Sequence, residues 1–289
     1  MATAAGRSYG SVPRRIRRVG HVCLGVGDVS RAVEFYSRAC NLVPVDVGAR
    51  RALLRSGFEH HCLVLEQSAQ STLLHLGFET FDDGATEALQ SELKARGVPT
   101  REAPPEEGRA GLSFQFRDPE GNWVEVYRTM GRLPGGLANG AFRVEKLGHF
   151  TMLARDLGVQ EDFYRSLGFR RSDSSPRGVF LRCGADHHGL AFLPAGRAGL
   201  HHHAYDVGGW DQIKMVLDWL CRLDVIPDAG PVRHGPGNNI AVYVRDPEGF
   251  RIEFYCEMEQ IEDDEDHERR YLPTFNLWLR QPAPEGFHE

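Results

Sequence analysis

No stretch of this 289-residue chain approaches the ~20 consecutive apolar residues a bilayer-spanning helix needs, so no membrane partner is expected. Positive charge is not in surplus either. Lys and Arg number 34 against 40 Asp and Glu, a formal net charge of −6, which argues against a nucleic-acid partner. There is no CxxC pair among the six cysteines, Cys23, Cys40, Cys62, Cys183, Cys221 and Cys256. A disulfide framework is not needed at this size, and buried free thiols in a reducing cytoplasm are the expectation. Residues 1–18 are basic but lack the apolar core of a secretory signal; residues 1–16 read as a frayed tail, with a transit peptide as the alternative. What the chain does have is an ordinary globular balance, 41% hydrophobic and 26% charged, and an unusual 13 histidines. That length and balance suit two domains.

The chain repeats itself. VGHVCLGVGDVSRAVEFY at 19–36 returns as LGHFTMLARDLGVQEDFY at 147–164, and FRDPEGNWVEVY at 116–127 returns as VRDPEGFRIEFY at 244–255, each shifted by 128. GFEHHCLVLEQ at 57–67 returns as GADHHGLAFLP at 184–194, shifted by 127, and His75 aligns with His202 at that same shift. Blocks in one order at a near-constant shift make two copies of one unit, at 17–128 and 145–257. The glycine-bearing segment 129–144 reads as the linker, and 258–289 as an acidic linker and C-terminal tail. Apolar spacing predicts helices over 29–40, with Asp28 as N-cap, and over 84–96 and 209–223, among strand-like runs such as CLVLE, GLAFL and IAVYV. Each copy therefore reads as a β-α-β-β-β unit performed twice. The DPEG repeated in both copies is turn chemistry, proline presetting φ and Gly121 or Gly249 closing the turn.

Strand parity then singles out a set of side chains. In Arg251-Ile252-Glu253-Phe254-Tyr255, Ile252 and Phe254 enter a core, which turns Glu253 to the opposite face, shared with Tyr243. A carboxylate aimed inward between apolar residues needs a partner, and a metal fits. His149, His202 and Glu253 each fall in a strand-like segment, and two imidazoles with one carboxylate suit Fe(II), Mn(II), Ni(II) or Zn(II) as a facial triad. His202 lies in the run His201-His202-His203, where alternation sends its neighbours to the other face, so a single ligand is expected there. The lack of thiolate ligands argues against a structural zinc site.

Paired βαβββ modules carrying these ligands resemble the vicinal oxygen chelate superfamily, and residues 17 to 257 resemble its two-domain type I extradiol catechol dioxygenases. The resemblance implies an α+β fold of two tandem domains, each of paired βαβββ modules forming a cupped mixed sheet. It places catalysis in the second copy, with His149, His202 and Glu253 as Fe(II) ligands, Mn(II) accepting the same set. It also implies three assisting groups, His188, His234 and Tyr243. His188 would act as acid–base group, while His234 and Tyr243 would hydrogen-bond the reacting oxygens. His187 is the alternative base by a one-residue slip. A small aromatic diol and O₂ are the implied substrates, and a cytoplasmic homo-oligomer the implied setting. The rival readings are a glyoxalase-like isomerase or thiol transferase of the same fold, and a ligand-sequestering protein without chemistry.

The first copy keeps His21, His61, His75 and Glu125 at positions matching His149, His188, His202 and Glu253, but has Gln115 where Tyr243 stands and Glu106 opposite His234. A silent relic is expected there, with a second metal site or a second active centre as alternatives. RRYLPTFNLWL at 269–279 has enough apolar surface to dock, either over the site's mouth, as the resemblance implies, or against the domain or another subunit.

Overall fold

The computed structural model describes residues 12–134, 140–262 and 270–278. The expected frayed tail up to residue 11, the middle of the linker, much of the acidic run and the last residues lie outside them. The first domain comprises β1 (Ile16–Val26), α1 (Val29–Arg38), β2 (Val43–Val47), β3 (Arg51–Arg55), β4 (Leu63–Gln67), β5 (Thr72–Thr80), α2 (Asp83–Ala95), β6 (Thr100–Glu102), β7 (Arg109–Arg117) and β8 (Trp123–Met130). The second repeats the order with β9 (Lys146–Ala154), α3 (Leu157–Ser166), β10 (Arg170–Ser175), β11 (Gly178–Arg182), β12 (Leu190–Pro194), β13 (Gly199–Asp206), α4 (Trp210–Arg222), β14 (Ala229–Arg233), β15 (Ile240–Arg245) and β16 (Arg251–Cys256). A two-residue strand β17 (Arg270–Tyr271) follows. The fold is α+β, two tandem domains of paired βαβββ modules, as expected. β8 continues two residues past 128, so the linker begins at a strand end.

In each domain the two modules join through their first strands. The first sheet runs β2-β3-β4-β1-β5-β8-β7-β6 and the second β14-β15-β16-β13-β9-β12-β11-β10-β17. The β1–β5 and β9–β13 seams are antiparallel, while β1–β4, β5–β8, β9–β12 and β13–β16 are parallel, which makes both sheets mixed. Helix starts follow the capping logic: Asp28 accepts from Arg31 N at 2.9 Å and Asp156 from Val159 N at 3.0 Å. Val29, Ala32 and Tyr36 are the buried face of α1, as the spacing predicts. One apolar core runs through both domains, with Phe78 edge-on to Phe150 and Phe169 across the boundary. Of the six thiols, five are buried and Cys221 is exposed, a correction to the expectation for that one, which lies on the outer face of α4. No helix among the described residues is long and apolar enough to cross a membrane.

The DPEG turns do more than reverse the chain. Gly121 and Gly249 take φ of +87° and +90°, and each donates its N–H to the turn's aspartate carbonyl. The acidic side chains of each turn then cross to the other domain. Tyr36 of α1 donates to Asp246 at 2.8 Å, and at the matching place Tyr164 of α3 donates to Asp118 at 3.3 Å. Gly27 N donates to Glu248 at 2.9 Å, and Arg155 N donates to Glu120 at 2.7 Å. Two reciprocal clamps thus fix one domain against the other.

Candidate metal centre

The site is written into the register of three adjacent strands. Ala204 of β13 pairs with His149 of β9 on one side and Glu253 of β16 on the other, and His202 lies two residues along β13. Side chains at these positions rise from one face of the sheet, the face opposite Ile252 and Phe254, which lie in the main core. Tyr243 of β15 pairs with Glu253, completing the row. Gly148 allows the row to close. A Cβ there would lie 1.7 Å from the Tyr255 hydroxyl, so only glycine lets that buried ring pack beside His149, at 4.9 Å between ring centres.

His149 Nε2 lies 3.2 Å and His202 Nε2 2.8 Å from Glu253 Oε2, with all three residues at most 5% exposed. Glu253 Oε1 accepts from Asn239 Nδ2 at 3.0 Å. Burial alone would raise the Glu253 carboxyl, yet the flanking His149 and His202 hold it well below the usual carboxylate range. Burial outweighs Glu253 at His202 and pushes that imidazole down to about 4. A neutral imidazole and an ionised carboxylate are ligand forms. His202 Nε2, buried and close to that carboxylate, makes no hydrogen bond with it or with any other described residue. An unpartnered ring nitrogen converging with an anionic oxygen and a second imidazole fits a divalent cation, and the N₂O donor set suits iron or manganese.

Around this trio the structure gathers the other sequence-predicted residues. His188 stands in the β11–β12 loop with its ring 4.5 Å from that of His149, lining the cavity. His187 turns the other way, its Nε2 2.9 Å from the buried Asp173, which Arg270 also binds. His234 Nε2 lies 2.8 Å from the Tyr243 hydroxyl, and both line the cavity. Burial and Glu253 keep the Tyr243 phenol well above its ordinary value, hence protonated. Burial lowers His188 and His234, so both are neutral near pH 7. The cavity, about 420 Å³ with its mouth included, takes apolar walls from Phe180, Leu193 and Phe275.

Two features depart from the sequence reading. The β13 register slips between Leu200 and His202, so His201 shares the cavity instead of facing away; its Nδ1 lies 2.7 Å from His202 Nδ1, and the Arg251 guanidinium donates to its Nε2 at 2.8 Å. Only His203 takes the other face, against Tyr36 and Tyr205. Asn239 and Arg251, both buried around the trio, were missed: nothing local in the sequence signals that loops and neighbouring strands aim them there. The C-terminal segment docks over the mouth. β17 pairs with β10, Asn276 Oδ1 lies 3.1 Å from His234 Nδ1, and the Phe275 ring lies 4.9 Å from that of His234.

The first domain brings His21, His75 and Glu125 together on β1, β5 and β8, flanking Gly77 as the second trio flanks Ala204. There the Arg109 guanidinium donates to Glu125, and Gln115 donates to its other oxygen at 2.7 Å. Glu106 is engaged by His61 at 2.6 Å and Arg51 at 2.5 Å.

The family model for the Glyoxalase/Bleomycin resistance protein/Dioxygenase superfamily matches the chain twice, over residues 18–126 and 146–254. An iron-dependent extradiol dioxygenase of Rhodococcus jostii is 30% identical over 227 residues, 70% of this chain and 76% of the relative. A manganese-dependent 2,3-dihydroxybiphenyl 1,2-dioxygenase of Geobacillus genomosp. 3 is 26% identical over 267 residues, 83% of this chain and 85% of the relative. Among solved structures, homoprotocatechuate 2,3-dioxygenase of Arthrobacter globiformis superposes with a TM-score of 0.88 at 24% identity, covering 97% of this chain and 94% of that one.

Proposed function

The chain belongs to the Glyoxalase/Bleomycin resistance protein/Dioxygenase superfamily and is an extradiol dioxygenase, and from that premise we propose that its second domain opens a catechol-type ring at Fe(II) held by His149, His202 and Glu253. The observation that carries this reading is the register: His149 and Glu253 flank Ala204 from the neighbouring strands, His202 lies two residues along the alanine's own strand, and His188, His234 and Tyr243 close round the same cavity. Bound iron supplies a centre that polarises the diol and brings it together with O₂. Mn(II), which the same donors accept, is the alternative ion.

The chain's own residues account for the proton traffic and the fit. Neutral His188, at the cavity wall, accepts a proton from a diol hydroxyl and returns it to an oxygen derived from O₂ as the O–O bond breaks. Protonated Tyr243 donates a hydrogen bond, and the His234 ring fixes the direction of that hydroxyl from 2.8 Å. Phe180 and Phe275, ring to ring at 6.3 Å, form an apolar wall of the cavity, which suits an aromatic ring and sheds water from it. The balance closes without an added reductant: one carbon–carbon bond beside the diol breaks, and both atoms of O₂ enter a ring-opened semialdehyde acid. The free thiols, five of them buried, support a cytoplasmic setting. A homo-oligomer is our expectation for the assembly, checked by light scattering. Reconstitution with Fe(II) under anaerobic conditions, followed by catechol and air, tests the reading. Oxygen uptake with a yellow product is expected, and a chain that takes up iron yet consumes no oxygen with any substituted catechol refutes it.

A further inference from the structure

The two domains differ most sharply at a position neither alignment motif covers. Arg101 pairs with Gln115 as Ala229 pairs with Tyr243, and the Gly131 N–H donates to the Gly108 carbonyl as the Glu259 N–H donates to that of Gly237, so Gly108 matches Gly237 and Arg109 is the residue that follows. Gly237 has φ +73° inside a 3-10 turn, and a Cβ there would already lie 3.1 Å from His187 and 3.3 Å from His188. Gly108 keeps the same left-handed conformation at φ +78° beside His60. The residue after it is where the domains part: the second has exposed Asn238, turned to Arg233, and the first has Arg109, a side chain with a full charge, 5% exposed, whose guanidinium donates to Glu125 and to the Pro104 carbonyl.

The donor trio beneath that guanidinium is otherwise assembled. His21 Nε2 lies 2.9 Å from His75 Nε2, and the Glu125 oxygens lie 3.8 and 3.7 Å from those nitrogens. The carboxylates decide the outcome. Glu253 leaves one oxygen facing its histidines, whereas Arg109 and Gln115 hold both oxygens of Glu125. Glu106, the other anionic group nearby, is matched by Arg51. A second cation would meet a buried positive charge already in contact with its only anionic ligand, a repulsion that low dielectric strengthens. We propose that Arg109 is the built-in cation of a latent first-domain site, His21, His75 and Glu125, which takes a divalent first-row transition metal once that guanidinium is removed. Arg109 is then a positioning residue, one that holds the silent domain folded by keeping Glu125 paired.

The comparison rests on the second-domain trio being a metal centre, so the experiment counts ions in each domain separately. Full-length protein is dialysed to equilibrium against Mn(II), and manganese per chain is measured at verified native circular dichroism. About one ion is expected in the native chain, two in Arg109→Gly, and one again when Glu125→Gln is added. His149→Ala with Glu253→Ala should hold none, and should regain one on adding Arg109→Gly. A retained ion in His149→Ala with Glu253→Ala would sink the second-domain assignment, while the ion dependent on Glu125 still decides the present inference. Two ions in the native chain falling to one on Glu125→Gln, or no gain in well-folded Arg109→Gly, overturns it. Should Arg109→Gly fail to fold, Glu125→Gln in the native chain decides: an unchanged count upholds a closed site and a drop refutes it.

Discussion

Glu253 is the residue on which the proposed second-domain site turns, being the one carboxylate of the trio and almost wholly buried. Glu253→Gln keeps its shape and removes the charge, so iron per chain and oxygen uptake should both collapse; normal iron content in that variant would end the assignment. His188 makes a different kind of claim. It touches the cavity but belongs to no ligand set, so His188→Phe should retain iron while turnover falls by roughly 10²–10⁴. His187→Phe should instead cost stability, read as a lower Tm, because it leaves the buried Asp173 without its imidazole partner, Arg270 alone remaining on that carboxylate. The opposite pattern, full activity in His188→Phe and loss in His187→Phe, would move the base by one residue. Glu253 and Tyr243 were legible in the sequence because strand parity is a local rule. The choice between His187 and His188 was not, because both sit in a loop where side-chain direction is set by what packs around it. Arg109 and Asn239 were invisible for the same reason: their partners lie on other elements.

Strands, helices and turns followed the sequence closely, since their signals, apolar period, N-cap aspartates and the DPEG turn, act within a few residues. The slip in β13 that brings His201 into the cavity broke the alternation rule, and the only local mark of it is Gly199, at φ +145°, just before the slip. The DPEG turns carried a second meaning that only the assembled pair of domains exposes. Asp246 is buried with Tyr36 across the boundary, and desolvation lifts its carboxyl to about 6. A carboxyl raised from its ordinary value binds protons more tightly folded than unfolded, so its contribution to stability is lost as pH climbs from about 4 to about 6. At roughly 1.4 kcal/mol per pH unit this amounts to about 3 kcal/mol, and Asp246→Asn should remove that slope. The check is the difference in Tm between native and Asp246→Asn protein from pH 4 to 7; a difference constant with pH contradicts the assignment. The C-terminal segment is tested at the same scale. Phe275→Ala opens the cavity wall without touching a ligand, so KM for catechol should rise by about tenfold, worth ~1.4 kcal/mol of lost apolar contact, at unchanged iron content. An unaltered KM would show that the segment merely rests on the surface.

Across the whole molecule the duplication supplies its own control. Both domains carry two histidines and a glutamate at matched register, pack on one shared core and clamp each other through the same turn, so ligand content alone describes two equivalent centres. What separates them is the surrounding set: His234 and Tyr243 stand beside the second trio, while Arg109 and Gln115 bind both oxygens of Glu125 in the first and Glu106 lies beside it. The duplication was legible from the shift of 128, and the asymmetry between His234 with Tyr243 and Glu106 with Gln115 was legible too. That an arginine fills the first site was not. The most direct measurement is oxygen uptake with catechol by two double variants, compared at equal folded fraction by circular dichroism and after identical Fe(II) loading. His21→Ala with Glu125→Gln should retain ring cleavage, and His149→Ala with Glu253→Ala should abolish it. Comparable loss in both, or activity surviving in the second-domain variant, would contradict a single centre built from His149, His202 and Glu253.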